Sequence, residues 1–263
     1  MKPILILLML VIITDFGNGK RYVTRSRESA SVEYLTRSNQ VINIPIIIHM
    51  DPVLTLKLSR EYGSRNRRKL KEISHKLLKE VESFYQHRSL NQTIRFRLIE
   101  TRFLRNKTNI VAMDENASKY LKSYCDWQSN KKMFRKKWYY SVLLTALDLY
   151  YVNNRGEEVR RSTGRGYMGG MCSMRKSCTL IEWHPKNIGF LLAHEIAHSL
   201  NINHDGPPFN HCKGNNLMSV RYNAGKHPKT WSPCSQMALK RYLQSGKSWC
   251  IRTEDNTVFN TST

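Results

Sequence analysis

The sequence has 263 residues, 40% hydrophobic and 24% charged, which excludes wholesale disorder and collagen-like repeats and leaves room for one large domain or two small ones. Forty-three Lys and Arg against 20 Asp and Glu give a formal charge of +23 and a pI near 10.0. That excess favours polyanionic company such as glycosaminoglycan, nucleic acid or an anionic membrane face, without defining a fold.

Met1 and Lys2 precede an unbroken apolar run, Ile4–Ile13, followed by Gly17, Asn18 and Gly19. This pattern predicts a secretory signal peptide over residues 1–19, cleaved after Gly19. The run is about ten residues, too short for a bilayer that needs roughly 20, and no later segment is apolar enough to cross one. Residues 20–40 read as a short, basic, Ser-rich lead-in. Val41–Met50 holds the β-branched run IPIII and predicts a buried strand. Arg65–Gln86 has helical spacing, with Leu70, Ile73, Leu77, Leu78 and Val81 on one stripe and a basic opposite face. Thr93–Glu100 alternates like a half-buried strand. A helix over Asp114–Gln128, a strand over Tyr140–Leu147 and an extended Gly-rich stretch over Gly164–Cys172 follow. Helices alternating with strands predict an α/β domain with a mostly parallel sheet. The last ninety residues read as helix, loops and cysteines.

An exported chain gives the six cysteines meaning. Cys125, Cys172, Cys178, Cys212, Cys234 and Cys250 are even in number and predict three disulfides, with 15 pairings open. Sequons start at Asn91, Asn106, Asn116 and Asn260 and suit a glycoprotein.

Residues 194–205 read HEIAHSLNINHD. His194 and His198, four apart, lie about 40° apart on one helical face, so both imidazoles reach one ion. Asn201 can take the left-handed conformation that ends a helix, letting the chain swing back so that His204 supplies a third nitrogen. Three neutral imidazoles leave zinc one open position for water, whose pKa falls from 15.7 toward about 7. Glu195, on the same turn, can take its proton and pass it to a leaving amine. The remaining histidines, His49, His75, His87, His184, His211 and His227, lack ligand spacing.

HExxHxxxxxHD, with the later turn Asn216–Leu217–Met218–Ser219, resembles the metzincin metalloproteases of the adamalysin (reprolysin) branch. The closer similarity is to the ADAMTS-type catalytic domain, through Asn201, SYCDWQ around Cys125, GGMCSMRKSC over Cys172 and Cys178, WSPCS around Cys234 and SGKSWC ending at Cys250. The resemblance covers about Val41–Arg252. It implies a mixed, mostly parallel twisted sheet with an active-site helix and a small irregular disulfide-linked C-terminal subdomain, with residues 41–263 as the catalytic domain. It implies one catalytic zinc on His194, His198 and His204, Glu195 as catalytic base, and Met218 packed beneath the site. It also implies a substrate-binding edge strand in Gly164–Met171, with Gly166, Tyr167, Met168, Gly169 and Gly170 facing a peptide that adds by backbone hydrogen bonds. Ser219–Trp231 would shape the pocket for the residue after the scissile bond. The implied disulfides are Cys125–Cys178, Cys172–Cys250 and Cys212–Cys234.

The sequence also departs from that family. Only some twenty residues separate the signal segment from the catalytic domain and no cysteine precedes Cys125, so an active, lone catalytic unit without an inhibitory propeptide is expected. Calcium is not expected: Pro45, Lys136, Lys137 and Trp138 stand where carboxylates would be needed. The expected protein is a secreted, monomeric zinc endopeptidase acting on extracellular proteins. Heparan sulfate or another polyanion is an expected partner, and specific nucleic acid is not. The alternative is an exported, basic, polyanion-binding protein on the same scaffold with little or no proteolysis.

Overall fold

The computed structural model describes residues 41–63, 67–104, 111–153, 155–160, 164–220 and 227–252. The expected signal peptide and lead-in, Asn106 and Asn260 lie outside them. In chain order the elements are β1 (Ile42–Met50), α1 (Pro52–Tyr62), α2 (Arg67–Tyr85), a short 3-10 turn (Arg88–Leu90), β2 (Ile94–Phe103) and α3 (Ala117–Arg135). Then come β3 (Tyr140–Thr145), β4 (Tyr151–Val152), β5 (Glu158–Val159), β6 (Gly164–Gly166), β7 (Cys178–Glu182), α4 (Ile188–Ser199), α5 (Pro233–Gln244) and a final 3-10 helix (Gly246–Ile251).

The main sheet has the order β2-β1-β3-β7-β6. β1 pairs parallel with both β2 and β3, β3 pairs parallel with β7, and β6 closes one edge antiparallel to β7. This is the mixed, mostly parallel sheet expected. β1 sits inside it, which explains its apolar run without alternation: both faces are covered. In β3, Val142 and Leu144 point into one apolar cluster with α2 and α4, whereas Leu143 joins a second with Tyr120, Leu121 and Tyr124 of α3. The period-two alternation thus puts α3 on one face of the sheet and α2 and α4 on the other. β4 and β5 form a separate two-stranded ribbon.

Among the elements that differ from expectation, three bear on the packing of the sheet. The helix α1 was not foreseen, although Asp51 caps it by accepting from the Leu54 amide at 2.7 Å and Pro52 opens it. The Asp51 carboxylate also accepts from Tyr120 (3.1 Å) and Thr145 (2.5 Å), and so joins β1, α3 and β3 in the interior. The buried strand β7 was missed because five residues between a cysteine-rich turn and a proline leave too short a pattern. The third difference is in α3, which begins at Ala117 and runs on to Arg135 instead of stopping at Gln128. The reason is Lys132. Its stem is fully buried, and its Nζ donates to the Ser177 carbonyl (2.8 Å) and hydroxyl (2.7 Å). A lysine run that reads as solvated therefore contains a core residue.

The disulfides join Cys125–Cys178, Cys172–Cys250 and Cys212–Cys234. The first ties α3 to the start of β7, the second fastens the final 3-10 helix to the turn after β6, and the third links the loop after α4 to α5. Regular structure is sparse between α4 and α5, and the 22-residue closure there restrains that segment.

His49 gives the fold a pH dependence. It is fully buried in β1, with Nδ1 on the Tyr124 hydroxyl at 2.9 Å and an edge against Trp127. Burial holds its pKa well below the ordinary histidine value, and Arg102, Lys131 and Lys132 add to the effect. A base with a lowered folded pKa is protonated first in the unfolded chain, so its contribution is whole above the unfolded value near 6.5 and is lost below it. At pH 5.5 the loss is on the order of 1 kcal/mol. Denaturant titrations at pH 7.5 and 5.5 should show His49→Gln losing about that much less than wild type over the interval. Equal losses would remove His49 from the account.

Candidate metal centre

The active helix α4 carries an apolar sequence because it is buried nearly all round. Tyr85 of α2 donates to the Ala193 carbonyl at 2.8 Å, and the Tyr140 and Ser199 hydroxyls bond at 2.6 Å, which fixes the helix against α2 and the sheet. At its end Asn201 has φ +65°. Its amide donates to the His198 carbonyl (2.9 Å) and that of Ile202 to the Ala197 carbonyl (3.0 Å). This pair of bonds is the Schellman arrangement, and it turns the chain back over the helix as the asparagine predicted.

The turn brings three imidazoles together. His204 Nε2 lies 3.1 Å from the Nε2 atoms of both His194 and His198. His194 Nδ1 faces the Leu217 carbonyl and His198 Nδ1 the Ile202 carbonyl, each at 2.9 Å. A carbonyl only accepts, so both Nδ1 atoms carry the proton and both Nε2 lone pairs face inward. Three nitrogens crowded this way suit a cation. Four ligands at zinc distances and tetrahedral angles place nitrogens about 3.3 Å apart, close to what is found. Burial pushes the His194 pKa down to about 3, with His198 adding to the shift, and that of His204 down to about 4. His198 is lowered by the same cause. All three rings are therefore neutral at physiological pH, as metal ligands must be.

Glu195 lies against the edge strand. Burial pushes its carboxyl up to about 7, while Arg165 and a hydrogen bond from the Gly166 amide act the other way. A Cβ at Gly164 would sit 2.6 Å from Glu195 Cγ, so only glycine lets this side chain pass β6. The extended stretch expected over Gly164–Cys172 proves shorter. Regular pairing stops at Gly166, and Tyr167–Gly170 closes a turn in which the Gly170 amide donates to the Tyr167 carbonyl at 3.0 Å. The Gly169 and Met171 amides are spent on the His198 and Ser199 carbonyls, at 2.9 and 3.0 Å. Gly166 thus lies on the strand, while Tyr167, Met168, Gly169 and Gly170 lie on a turn that covers the end of α4.

Met218 is fully buried in the core cluster, beside the Leu217 carbonyl that orients His194. Its own carbonyl accepts from the Asp205 amide at 2.8 Å. Asp205 is buried too, and Oδ1 accepts from Ser232, the cap of α5, at 2.5 Å. The residue after the third histidine therefore fastens the methionine turn to the following helix. Much of Ser219–Trp231 lies outside the described residues, but Trp231 anchors its end by donating from Nε1 to the Phe84 carbonyl at 2.8 Å. Of the sequons, Asn91 is exposed and Asn116 caps α3 through its side-chain oxygen. Among the described residues one more His/Cys group converges, His211 with Cys212 and Cys234, but its sulfurs are joined to each other.

A helix with two histidines four apart, a third returned by a turn, and a buried carboxylate beside them form a candidate site for one metal ion. Residues 48–254 match the model of the reprolysin (M12B) family of zinc metalloproteases, and the chain belongs to that family. It is 26% identical over 260 residues, 93% of its length, to a disintegrin and metalloproteinase with thrombospondin motifs 19 of Mus musculus, covering 21% of that protein. Against the Homo sapiens protein of the same name the identity is 28%, over 91% of this chain and 19% of the relative. Against a disintegrin and metalloproteinase with thrombospondin motifs gon-1 of Caenorhabditis elegans it is 30%, over 73% and 9%. The chain thus spans about a fifth or less of these relatives.

The Glu195–Gly164 contact, which sequence spacing does not show, generates a prediction. Gly164→Ala should leave the three histidines and their metal in place but displace Glu195, lowering peptide turnover by at least about tenfold, since one misplaced catalytic group commonly costs more. Metal content and kcat measured on the same preparation check this. Unchanged kcat would mean that β6 yields instead.

Proposed function

We propose that the chain is a secreted zinc endopeptidase that hydrolyses peptide bonds of extracellular proteins, with Glu195 as general base. The observation that supports this most is the set of three inward Nε2 lone pairs beside a buried carboxylate at an open strand edge. Bound by His194, His198 and His204, zinc supplies a Lewis acid that polarises the scissile carbonyl and makes water acidic. Glu195 takes the proton from the attacking water and delivers it to the leaving amine. Its raised pKa suits both directions of transfer near neutral pH. The free side of β6 offers backbone groups to an extended peptide, with Gly164 and Gly166 both beside the base.

Three disulfides support an oxidising compartment and therefore secretion. No helix among the described residues is long and apolar enough to cross a membrane. Folding without calcium is supported by the donor set: Ile44 and Ile46 are buried in the core, and Trp138 is buried with its indole donating to the Met171 carbonyl at 3.1 Å. A monomeric state completes the reading. The charge of +23 favours one other reading, a polyanion-binding protein in which proteolysis is secondary.

Zinc analysis should find one ion per chain. Glu195→Ala should keep it and lower turnover on a peptide substrate by about 10²–10⁴-fold, the usual worth of a positioned base. A wild-type protein that holds zinc and cleaves no protein would leave the second reading.

A further inference from the structure

Of the three residues of β6 only Arg165 is charged, and the register of the strand fixes where it points. Arg165 pairs with Leu180 of β7, while Gly164 and Gly166 pair with Ile181 and Thr179. Leu180 belongs to the apolar cluster under α3 and Ile181 to the one with α4, and cross-strand partners share a face. Arg165 therefore stands on the α3 face, opposite the face on which Glu195 passes the two glycines. Its carbonyl accepts from the Thr179 hydroxyl at 2.9 Å and so points inward, at β7. In antiparallel pairing that directs the backbone groups of Gly164 and Gly166, and not those of Arg165, to the free side. The guanidinium is exposed and forms no ion pair among the described residues. Its charge is nevertheless felt by both Glu195 and His198.

The surroundings on that face are cationic. Burial holds the Tyr167 hydroxyl above its ordinary pKa, Asp126 adds to the effect, and Lys122 and Arg165 oppose it, so all three charges lie around one ring. Lys176 Nζ stands 5.8 Å from the centre of the same ring. The one carboxylate of the group, Asp126, is taken by Lys122 at 2.7 Å. In an antiparallel peptide on the free edge, the residue across from Arg165 falls in a non-hydrogen-bonded pair, where Cα atoms are about 4.5 Å apart and side chains are closest. Opposite charges in such a pair attract, and like charges are destabilising. We infer that Arg165 is a specificity residue, selecting substrates with an aspartate or glutamate at the position paired with it, close to the scissile bond and on the face away from Glu195. This rests on the peptidase reading above and narrows its substrates to acidic segments of protein. The overall charge of +23 draws in acidic proteins without choosing a bond, whereas Arg165 holds one register position and so discriminates between neighbouring bonds.

The test uses the full zinc-loaded chain with its disulfides intact and quenched-fluorescence decapeptides that differ only by Glu, Gln or Lys at one position at a time. In wild type, Glu at one position beside the cleaved bond should raise kcat/KM about fivefold over Gln, the upper worth of an exposed ion pair. Arg165→Gln should bring that ratio close to one, and Arg165→Glu should turn the preference to Lys. The ratio is taken within each preparation, so any change in Glu195 basicity cancels. Arg241→Gln with Lys247→Gln, which removes charge from the exposed surface of the C-terminal segment, should keep the ratio. A ratio that survives in Arg165→Gln, or that is near one at every position in wild type, would overturn the assignment. Equal falls in Arg165→Gln and in the C-terminal double variant would reduce the preference to net charge and overturn it too. The Kd of the same peptides for zinc-loaded Glu195→Ala, with and without Arg165→Gln, covers the case in which wild type cleaves none of them. The peptidase reading then fails, while an Arg165-dependent Kd ratio upholds the site and its absence overturns it.

Discussion

Three lone pairs aimed at one point constrain everything around them. Imidazole nitrogens without a shared proton repel, so the cluster of His194, His198 and His204 persists only if the backbone holds each ring and a cation relieves the repulsion. The carbonyls of Leu217 and Ile202 hold two of the rings by taking their Nδ1 protons. Both carbonyls belong to turns, and each turn is fastened in turn by a residue with no catalytic part. Ile202 is placed by the left-handed Asn201, and Leu217 by the pairing of Asp205 with Met218 and of Asp205 with Ser232. The irregular C-terminal segment can therefore lack regular elements without being loose where precision matters.

The carboxylate beside the histidines is governed by a different constraint. Glu195 is on the same helix but faces the sheet edge, where the absence of a side chain at Gly164 makes room for it. That room is buried, and burial raises its pKa toward neutrality. A metal site that needs neutral rings and a base that needs a proton near pH 7 are thus both served by burial. Burial lowers the basicity of imidazole and raises that of carboxylate, so the same surroundings move the two kinds of group in the useful directions.

The parts legible in the sequence are those with a local period. His194, His198 and the stripe Leu70–Leu77–Val81 follow from 3.6 residues per turn, and Asn201 from a single backbone preference. Contacts between distant residues leave no such trace. Lys132 reads as one lysine in a solvated run because its partner, Ser177, is 45 residues away. Gly164 and Glu195 are 31 residues apart, and nothing in a Gly-rich stretch says which glycine is needed. The end of the edge strand was misjudged for a related reason. Tyr167–Gly170 turns where the His198 and Ser199 carbonyls at the end of α4 accept from the Gly169 and Met171 amides, a fact about tertiary packing that local composition does not contain.

The two edges of the sheet differ in how open they are to another backbone. An open edge strand recruits any extended chain unless something discourages it. β2, ten residues long, exposes Arg95 and Arg97 along its length, and charge on an edge strand discourages pairing with another backbone. β6 is only three residues, two of them glycine, too short to template aggregation yet lying directly against Glu195. Its brevity limits how much substrate backbone it can align, so pockets for side chains must supply the remaining selectivity. The edge with the weakest defence against pairing is therefore the one that lies against Glu195, and the edge with the most charge is the one least open to another backbone.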